Sequence, residues 1–177
     1  PGFLIYGSQV SLAGGNPIYL PIREENHFQM NPDELRKLIT KRTKAILLNS
    51  PSNPTGMVID LDIMEQITKI ALDYDLFIIS DELYEDILFD GRKHVSIASL
   101  PEMKERTISI FGFSKSYAMT GWRIAYLTCQ EALIREMIKV QQSTAVCPNS
   151  ITQRAALYGL QHPRETKRSV DFMCESY

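Results

Sequence analysis

The stretch KAILLNSPSNPTG at residues 44–56 decides the fold of this chain. Residues 45–48 form a continuous apolar run, which is typical of a strand buried on both faces of a sheet. The prolines and the glycine of residues 50–56 predict a turn directly after that strand. Apolar residues then recur with helical spacing over residues 60–74, and a second apolar strand is predicted at residues 76–79. A strand, a helix and a strand in this order predict a βαβ unit with parallel strands.

The same alternation continues on both sides of this unit. A helix is predicted at residues 32–41, strands at residues 107–113 and 122–128, and helices at about residues 131–142 and 150–160. The link between the last two strands is short and carries no helix, so that pair should be antiparallel. We therefore expect an α/β fold in which a mostly parallel sheet carries helices on both faces. No repeat or linker divides the sequence, which indicates one domain.

The composition excludes several classes of protein. The chain has 177 residues, of which 44% are hydrophobic and 23% are charged, so it can bury a sizeable core. Its formal net charge of −2 argues against a nucleic-acid binder and against a basic membrane anchor. Its apolar runs are too short to span a bilayer, and its first residues do not resemble a signal peptide.

Cysteine and histidine usage predicts neither disulfides nor a metal site. The cysteines are odd in number and widely spaced, at Cys129, Cys147 and Cys174. This pattern fits inert thiols in a reducing compartment, so we expect a cytoplasmic protein. The histidines stand alone, without the spacing of metal ligands, at His27, His94 and His162.

Polar side chains follow three of the predicted strands, at the point where each strand ends. They are Asn53 after the first strand, Asp81 and Tyr84 after the second, and Ser114 and Lys115 after the third. Ligands of open α/β sheets bind outside the carboxyl ends of the strands. Because those ends share one edge of a parallel sheet, the sequence predicts a ligand site at this edge.

Each charged residue near this edge has two interpretations. Asp81 could pair with a cation or a protonated ring nitrogen, or it could cap a helix. Lys115 could be an amine nucleophile, or it could be a solvated lysine at a strand end. Arg123 could bind a phosphate or a carboxylate, or it could form a surface ion pair. The sequence lacks the glycine motifs of dinucleotide and nucleoside-triphosphate sites and the serine motif of α/β-hydrolases.

Three motifs taken together resemble one enzyme family. They are NSPSNPTG at residues 49–56, SDELY at residues 80–84 and SKSYAMTGWR at residues 114–123. In this order and spacing they resemble the class I/II aminotransferases. These are fold-type I enzymes that depend on pyridoxal phosphate (PLP) and are related to aspartate and aromatic aminotransferases. The resemblance extends from residue 1 to at least residue 160, and it implies part of the large domain of a PLP-dependent transferase.

The resemblance implies a role for each matching residue. Lys115 matches the lysine that binds PLP covalently and carries a proton during catalysis. Asp81 matches the aspartate that pairs with the pyridine nitrogen, and a carboxylate there keeps that nitrogen protonated so that the ring can accept electrons. Asn53 and Tyr84 match the two groups that hydrogen-bond the phenolic oxygen of PLP.

The other matches concern the phosphate and the face of the cofactor ring. Arg123 matches the arginine that binds the cofactor phosphate. Phe3 matches the aromatic residue that stacks on the ring. Many members of the family carry a phosphate-binding serine three residues before the lysine. Here that position is Gly112, and Ser114 is the candidate replacement.

The resemblance also implies what kind of protein contains the chain. Residues 1–177 match the central part of the PLP-binding large domain, without its N-terminal part and without the C-terminal small domain. Because the chain begins with Pro1, we expect an internal piece of a longer protein. Without those two parts of the family's structure, we expect it to be inactive by itself. The implied substrates are an amino acid and a 2-oxo acid. The implied assembly is a homodimer, and self-association of the fragment is expected as well.

Two alternatives to an aminotransferase stay open. The residues at the sheet edge serve any reaction that starts from a carbanion at Cα, so a PLP-dependent lyase of the same fold would use them too. The chain could also be a non-catalytic folded fragment or a binding domain. A lysine-dependent aldolase without a cofactor fits the residues less well than these two, because it would leave Asp81 and Asn53 unexplained.

Overall fold

Within residues 1–176, which the computed structural model describes, six helices and four strands follow one another along the chain. The helices are α1 (Ile5–Leu12), α2 (Pro32–Leu38), α3 (Leu61–Asp73), α4 (Glu131–Thr144), α5 (Ser150–Gln161) and α6 (Pro163–Glu175). The strands are β1 (Ala45–Asn49), β2 (Phe77–Asp81), β3 (Thr107–Gly112) and β4 (Ala125–Thr128). The succession of β1, α3 and β2 is the βαβ unit that residues 44–81 predict.

The four strands form one sheet in the order β1-β2-β3-β4. β1, β2 and β3 run parallel, whereas β4 runs antiparallel to β3. The predicted α/β fold, with a mostly parallel sheet and an antiparallel last pair, is therefore confirmed. In the parallel register Asn49 lies opposite Asp81, so the carboxyl ends of β1 and β2 meet at the same edge.

The main core lies between one face of the sheet and the helices α2 and α3. Strand side chains alternate between the two faces, and those of Ile46, Leu48 and Ile78 point into this core. α3 contributes Ile67 and Ile70, both 0% exposed. Burial of each such side chain stabilises the fold by about 1.5–3 kcal/mol. This packing fixes the orientation of β1 and β2, from whose ends the polar loops leave.

The opposite face of the sheet carries polar residues at its carboxyl edge. Asn49 and Asp81 are half-buried there. Each follows a core-facing residue by one position along its strand, so its side chain points to the opposite face. α1 lies on this side, since the hydroxyl of Tyr6 contacts the Asp81 carboxylate. Helices therefore lie on both faces, as predicted. A smaller cluster beyond the end of β3 packs Phe113 and Met119 against Ala156 of α5.

Two helices are absent from the sequence prediction, and two boundaries differ from it by three residues. α1 was not predicted because its apolar residues do not form one face, and Leu12 is exposed. α6 was not predicted because it is mostly polar and buries only Val170. α2 ends at Leu38, three residues early, since the next residue is extended. β4 starts at Ala125 rather than at residue 122, because Arg123 has a left-handed backbone with φ of 53°.

Of the helices in residues 1–176, none has both the length and the apolar character needed to cross a membrane.

Candidate active site

The last residue of β1 connects the first polar loop to the end of β2. The side-chain nitrogen of Asn49 donates to the backbone oxygen of Asp81 at 3.2 Å. The side-chain oxygen of Asn49 accepts a hydrogen bond from the backbone N–H of Asn53 at 2.8 Å. The backbone N–H of Ser50 also donates to the Asp81 oxygen, at 3.2 Å. The loop that carries Asn53 is thereby held beside Asp81.

Three of the predicted site residues meet at this edge from three different segments. The side-chain nitrogen of Asn53 lies 3.5 Å from the hydroxyl of Tyr84. The amine of Lys115 lies 5.0 Å from the centre of the Tyr84 ring, which is within the range of a cation–π contact. Asn53 follows β1, Tyr84 follows β2 and Lys115 follows β3. The carboxyl ends of the parallel strands therefore bring an amide, a phenol and an amine together.

The Asp81 carboxylate has two hydrogen-bond donors of its own. One oxygen accepts a 2.6 Å bond from the hydroxyl of Tyr6, and the other accepts a 3.2 Å bond from the backbone N–H of Leu83. Burial raises the pKa of the Tyr6 phenol, and the bond to Asp81 raises it further. The proton therefore stays on Tyr6, and Asp81 is the acceptor. Nothing in the sequence pattern links two residues 75 positions apart, so sequence reasoning missed Tyr6.

Phe3 lies next to this pair and contacts the Tyr6 ring. Its ring centre is 5.3 Å from that of Tyr6, with the rings at 74°. This is an edge-to-face contact, a favoured geometry for aromatic pairs. The Phe3 ring is 39% exposed, so one side of it is accessible to solvent or to a ligand.

Ser114 and Arg123 lie in the loop between β3 and β4, Ser114 directly before Lys115 and Arg123 after it. Arg123 is exposed, and its guanidinium donates to the backbone oxygen of Thr120 at 2.7 Å. The Thr120 hydroxyl donates in turn to the backbone oxygen of Ser114 at 2.9 Å. Arg123 borders an open groove of about 750 Å³ between this loop and the start of α5. Within residues 1–176, no hydrogen bond joins Arg123 to the other predicted site residues, so its role and that of Ser114 stay predictions.

Gly112, which stands where many family members carry serine, has room for a β-carbon. A β-carbon at this position would lie 3.4 Å from side-chain carbons of Ala125 and Leu83, which is ordinary van der Waals contact. The backbone at this position would therefore accept a β-carbon. No three His, Cys, Asp or Glu side chains in the described part of the chain are arranged to hold a metal ion.

We expect the Tyr6 hydroxyl to stabilise the protein by binding the Asp81 carboxylate. Tyr6→Phe keeps the ring against Phe3 but leaves one carboxylate oxygen without its donor. The free energy of unfolding should fall by about 1.5–3 kcal/mol, as for a hydrogen bond to a charged group. Denaturant unfolding measures this change. Tyr19→Phe is the matched control, because the Tyr19 side chain is exposed. Equal stability of the two variants would contradict the expected role of Tyr6.

We expect Glu85 to make stability depend on pH near neutrality. Burial raises the pKa of its carboxyl, and the charges of Asp86 and Glu82 raise it further, to about 7, against the opposing charge of His94. An unfolded glutamate has a pKa of about 4.3, so between these values the native state holds a proton that the unfolded chain releases. The contribution of Glu85 is therefore complete below the unfolded pKa and is lost as the pH rises through about 7.

Glu85→Gln should abolish this part of the pH dependence, since glutamine resembles the protonated acid at every pH. The measurement compares denaturant unfolding of the wild type and the variant on both sides of neutral pH. The exposed Glu105→Gln serves as the control for the loss of one carboxylate. If the free energy of unfolding falls equally for Glu85→Gln and for the wild type between a pH below and a pH above neutrality, the pKa of Glu85 is not raised.

Comparison with known proteins places this arrangement in a family. The family model described as aminotransferase class I and II matches residues 1–177. The chain is 46% identical to an aspartate aminotransferase of Pyrococcus abyssi, over all of this chain and 45% of that relative. It is 45% identical to aromatic-amino-acid aminotransferase 2 of Thermococcus litoralis, over 93% of this chain and 42% of that relative. The chain thus spans about half the length of the curated relatives it matches.

A solved structure agrees with the sequence relatives. The aromatic aminotransferase from Pyrococcus horikoshii superposes with a TM-score of 0.95 at 43% identity, covering 99% of this chain and 47% of that one. The family resemblance that the three motifs indicate is confirmed by the family model, by these relatives and by this structure. The chain belongs to the class I and II aminotransferase family.

Proposed function

We propose that the protein that carries this chain, here called the full-length protein, is a PLP-dependent aminotransferase. It would transfer an amino group between an amino acid and a 2-oxo acid. Residues 1–177 would be the central part of its PLP-binding large domain, and by themselves they would be inactive. One observation carries the proposal: Lys115, Tyr84 and Asn53 converge at the same sheet edge as an Asp81 carboxylate with two hydrogen-bond donors.

The side chains at this edge fit the functional groups of PLP. The Asp81 carboxylate would bind the protonated ring nitrogen, and Tyr6 would hold that carboxylate in place. Asn53 and Tyr84 would both donate to the phenolic oxygen, and the short distance between their polar atoms suits a shared acceptor. The Lys115 amine would bind the aldehyde carbon. The carboxylate, the two hydrogen-bond donors and the amine thus match a cationic nitrogen, an anionic oxygen and an electrophilic carbon, in that order.

The phosphate and the ring face would be bound by the remaining residues. Arg123 would pair with the phosphate through its guanidinium fork, and Ser114 would add a contact from the same loop between β3 and β4. Phe3 would cover one face of the ring, since its own ring lies beside Tyr6 and is partly exposed. The support for these three roles is the family match and their position near the sheet edge.

Lys115 and Asp81 would perform the chemistry together. PLP, when bound, withdraws electron density from the Cα of the amino acid. Once the amino group of the substrate has displaced it from the aldehyde carbon, the free Lys115 amine would take the proton from Cα and deliver it to C4′ of the cofactor, which makes Lys115 a catalytic residue. Asp81 would stabilise the positive charge on the ring nitrogen, where electron density accumulates in the transition state. The Asn49 bonds would keep Asn53 oriented toward the same site.

The substrates would be small molecules, and the family suggests a homodimer in solution. The relatives named above are an aspartate aminotransferase and two aromatic aminotransferases, so these two kinds of amino acid are the first to test. We propose a cytoplasmic location, supported by the free thiols of Cys129, Cys147 and Cys174.

Two measurements on the purified full-length protein test the proposed function. Added PLP should produce a visible absorption band, and an amino donor such as aspartate or phenylalanine should form glutamate from 2-oxoglutarate. A band with product formation that needs no 2-oxo acid would favour the lyase alternative. A protein without the band and without turnover would contradict the proposal and favour a non-catalytic domain.

A further inference from the structure

A buried carboxylate lies directly beside the proposed cofactor-binding aspartate. Glu82 follows Asp81 in the chain, is 0% exposed, and is the one Asp, Glu, Lys or Arg residue that is buried within residues 1–176. Since successive side chains alternate along an extended chain, Glu82 points to the core side while Asp81 faces the site. A carboxylate removed from water needs hydrogen-bond donors or an opposite charge.

Glu82 has two hydrogen-bond partners, both from the segment between β2 and β3. The ring nitrogen Nε2 of His94 lies 2.7 Å from one carboxylate oxygen. The hydroxyl of Ser96 donates to the other oxygen at 2.9 Å. Burial acts to raise the pKa of Glu82, but the bonds from His94 and Ser96 outweigh it, and the pKa lies below its ordinary value. The side chain is therefore an anion at neutral pH.

Stability alone does not account for this arrangement. A buried carboxylate is a weak source of stability even when it is hydrogen-bonded, and apolar side chains of similar volume often stabilise a fold as well. The second ring nitrogen of His94, Nδ1, is buried and has no hydrogen-bond partner among the described residues, which costs additional stability. Buried polar groups that are incompletely satisfied call for an explanation in function.

The backbone of Glu82 is hydrogen-bonded to β3 and to the turn that carries Tyr84. Its N–H donates to the oxygen of Ile110 on β3 at 2.9 Å, and its own oxygen accepts from the N–H of Glu85 at 3.0 Å. Glu82 thus starts the turn that carries Tyr84 and immediately follows Asp81. A rotation of Glu82 would displace the Asp81 carboxylate on one side and the Tyr84 hydroxyl on the other.

We propose that Glu82 and His94 are positioning residues for the cofactor site. Their buried pair, completed by Ser96, fixes the turn so that Asp81 and Tyr84 reach the cofactor at the same time. The inference rests on the proposed function, because it assigns no chemistry of its own to Glu82. Small displacements of groups that act on the reacting atoms cost large factors in rate. The effect should therefore appear in kcat and in cofactor affinity rather than in substrate affinity.

Glu82→Gln in the full-length protein tests this role, because glutamine keeps the shape and removes the charge. We expect kcat to fall and the PLP dissociation constant to rise, each about tenfold or more, while KM for the amino acid stays within about twofold. PLP affinity is read from titration of the apoprotein, without turnover. Ser96→Ala removes one bond and keeps the pair, so it should shift both values in the same direction by a smaller factor.

Glu85→Gln is the matched control, since it removes a carboxylate from the same turn. That carboxylate has no hydrogen-bond donor within residues 1–176, and well below its raised pKa of about 7 it is protonated. At such a pH the control should match the wild type. A folded Glu82→Gln protein that equals the control in kcat and in PLP affinity would overturn the inference. If Glu82→Gln does not fold, wild-type values from Ser96→Ala overturn it. A wild type that binds no PLP is a different outcome, which refutes the proposed function itself.

Discussion

Lys115→Ala in the full-length protein is expected to abolish the visible band of bound PLP and to reduce turnover by at least about a thousandfold. A positioned proton carrier contributes about 10²–10⁴ in rate, and this lysine would also be the covalent attachment point. Other side chains near the cofactor, Asn53 and Tyr84, cannot substitute, because an amide and a phenol are not amine nucleophiles. Absorption spectra and 2-oxo-acid-dependent turnover measure the two effects.

The exposed Lys104→Ala is the control for the loss of one lysine, and it should behave as the wild type. Circular dichroism should show that Lys115→Ala is folded, since the Lys115 side chain is half-buried and lies outside the main core. A Lys115→Ala protein that keeps both its colour and near-normal turnover would refute the role of Lys115.

Asp81→Ala is expected to have the second-largest effect, with kcat falling by about 10²–10³ and PLP affinity changing less. The carboxylate would act mainly in the transition state, where electron density accumulates on the ring. Its removal should therefore lower kcat more than PLP affinity. Asp81→Asn should be nearly as slow, although asparagine keeps an acceptor for the Tyr6 hydroxyl. Steady-state kinetics at saturating PLP separate the two parameters.

Asp62→Ala provides the comparison for Asp81, because Asp62 is an exposed carboxylate in the first turn of α3. It should leave kcat within about twofold of the wild type, as is usual for surface substitutions. If Asp81→Asn retains wild-type kcat, the carboxylate is not needed for charge stabilisation and the proposed role of Asp81 is wrong.

The strands and their polar ends are the part of the fold that the sequence predicts best. Short apolar runs such as residues 45–48 are typical of strands in a sheet that is covered on both faces. The polar residue that ends such a run must then lie at the sheet edge, as Asn49 and Asp81 do. The short link after Lys115 likewise leaves no room for a crossover helix, which makes β4 antiparallel.

The contacts that the sequence could not predict are those between distant segments. α1 has no single apolar face, so neither its existence nor the bond from Tyr6 to Asp81 could be inferred from periodicity. Glu82 is one of five residues in a recognisable motif, but its partner His94 lies twelve positions on, in an irregular segment. The turn at Arg123 depends on a left-handed backbone that arginine seldom adopts.

Borohydride reduction of the full-length protein with bound PLP, followed by peptide mass mapping, tests the central claim most directly. Reduction fixes the cofactor to the amine that holds it, so the modified residue can be read without any assay of turnover. We predict a single modified peptide, with the added mass on Lys115. Modification of a different lysine, or no stable modification after a visible band has been reduced, would contradict the claim that Lys115 is the cofactor-binding residue of this protein.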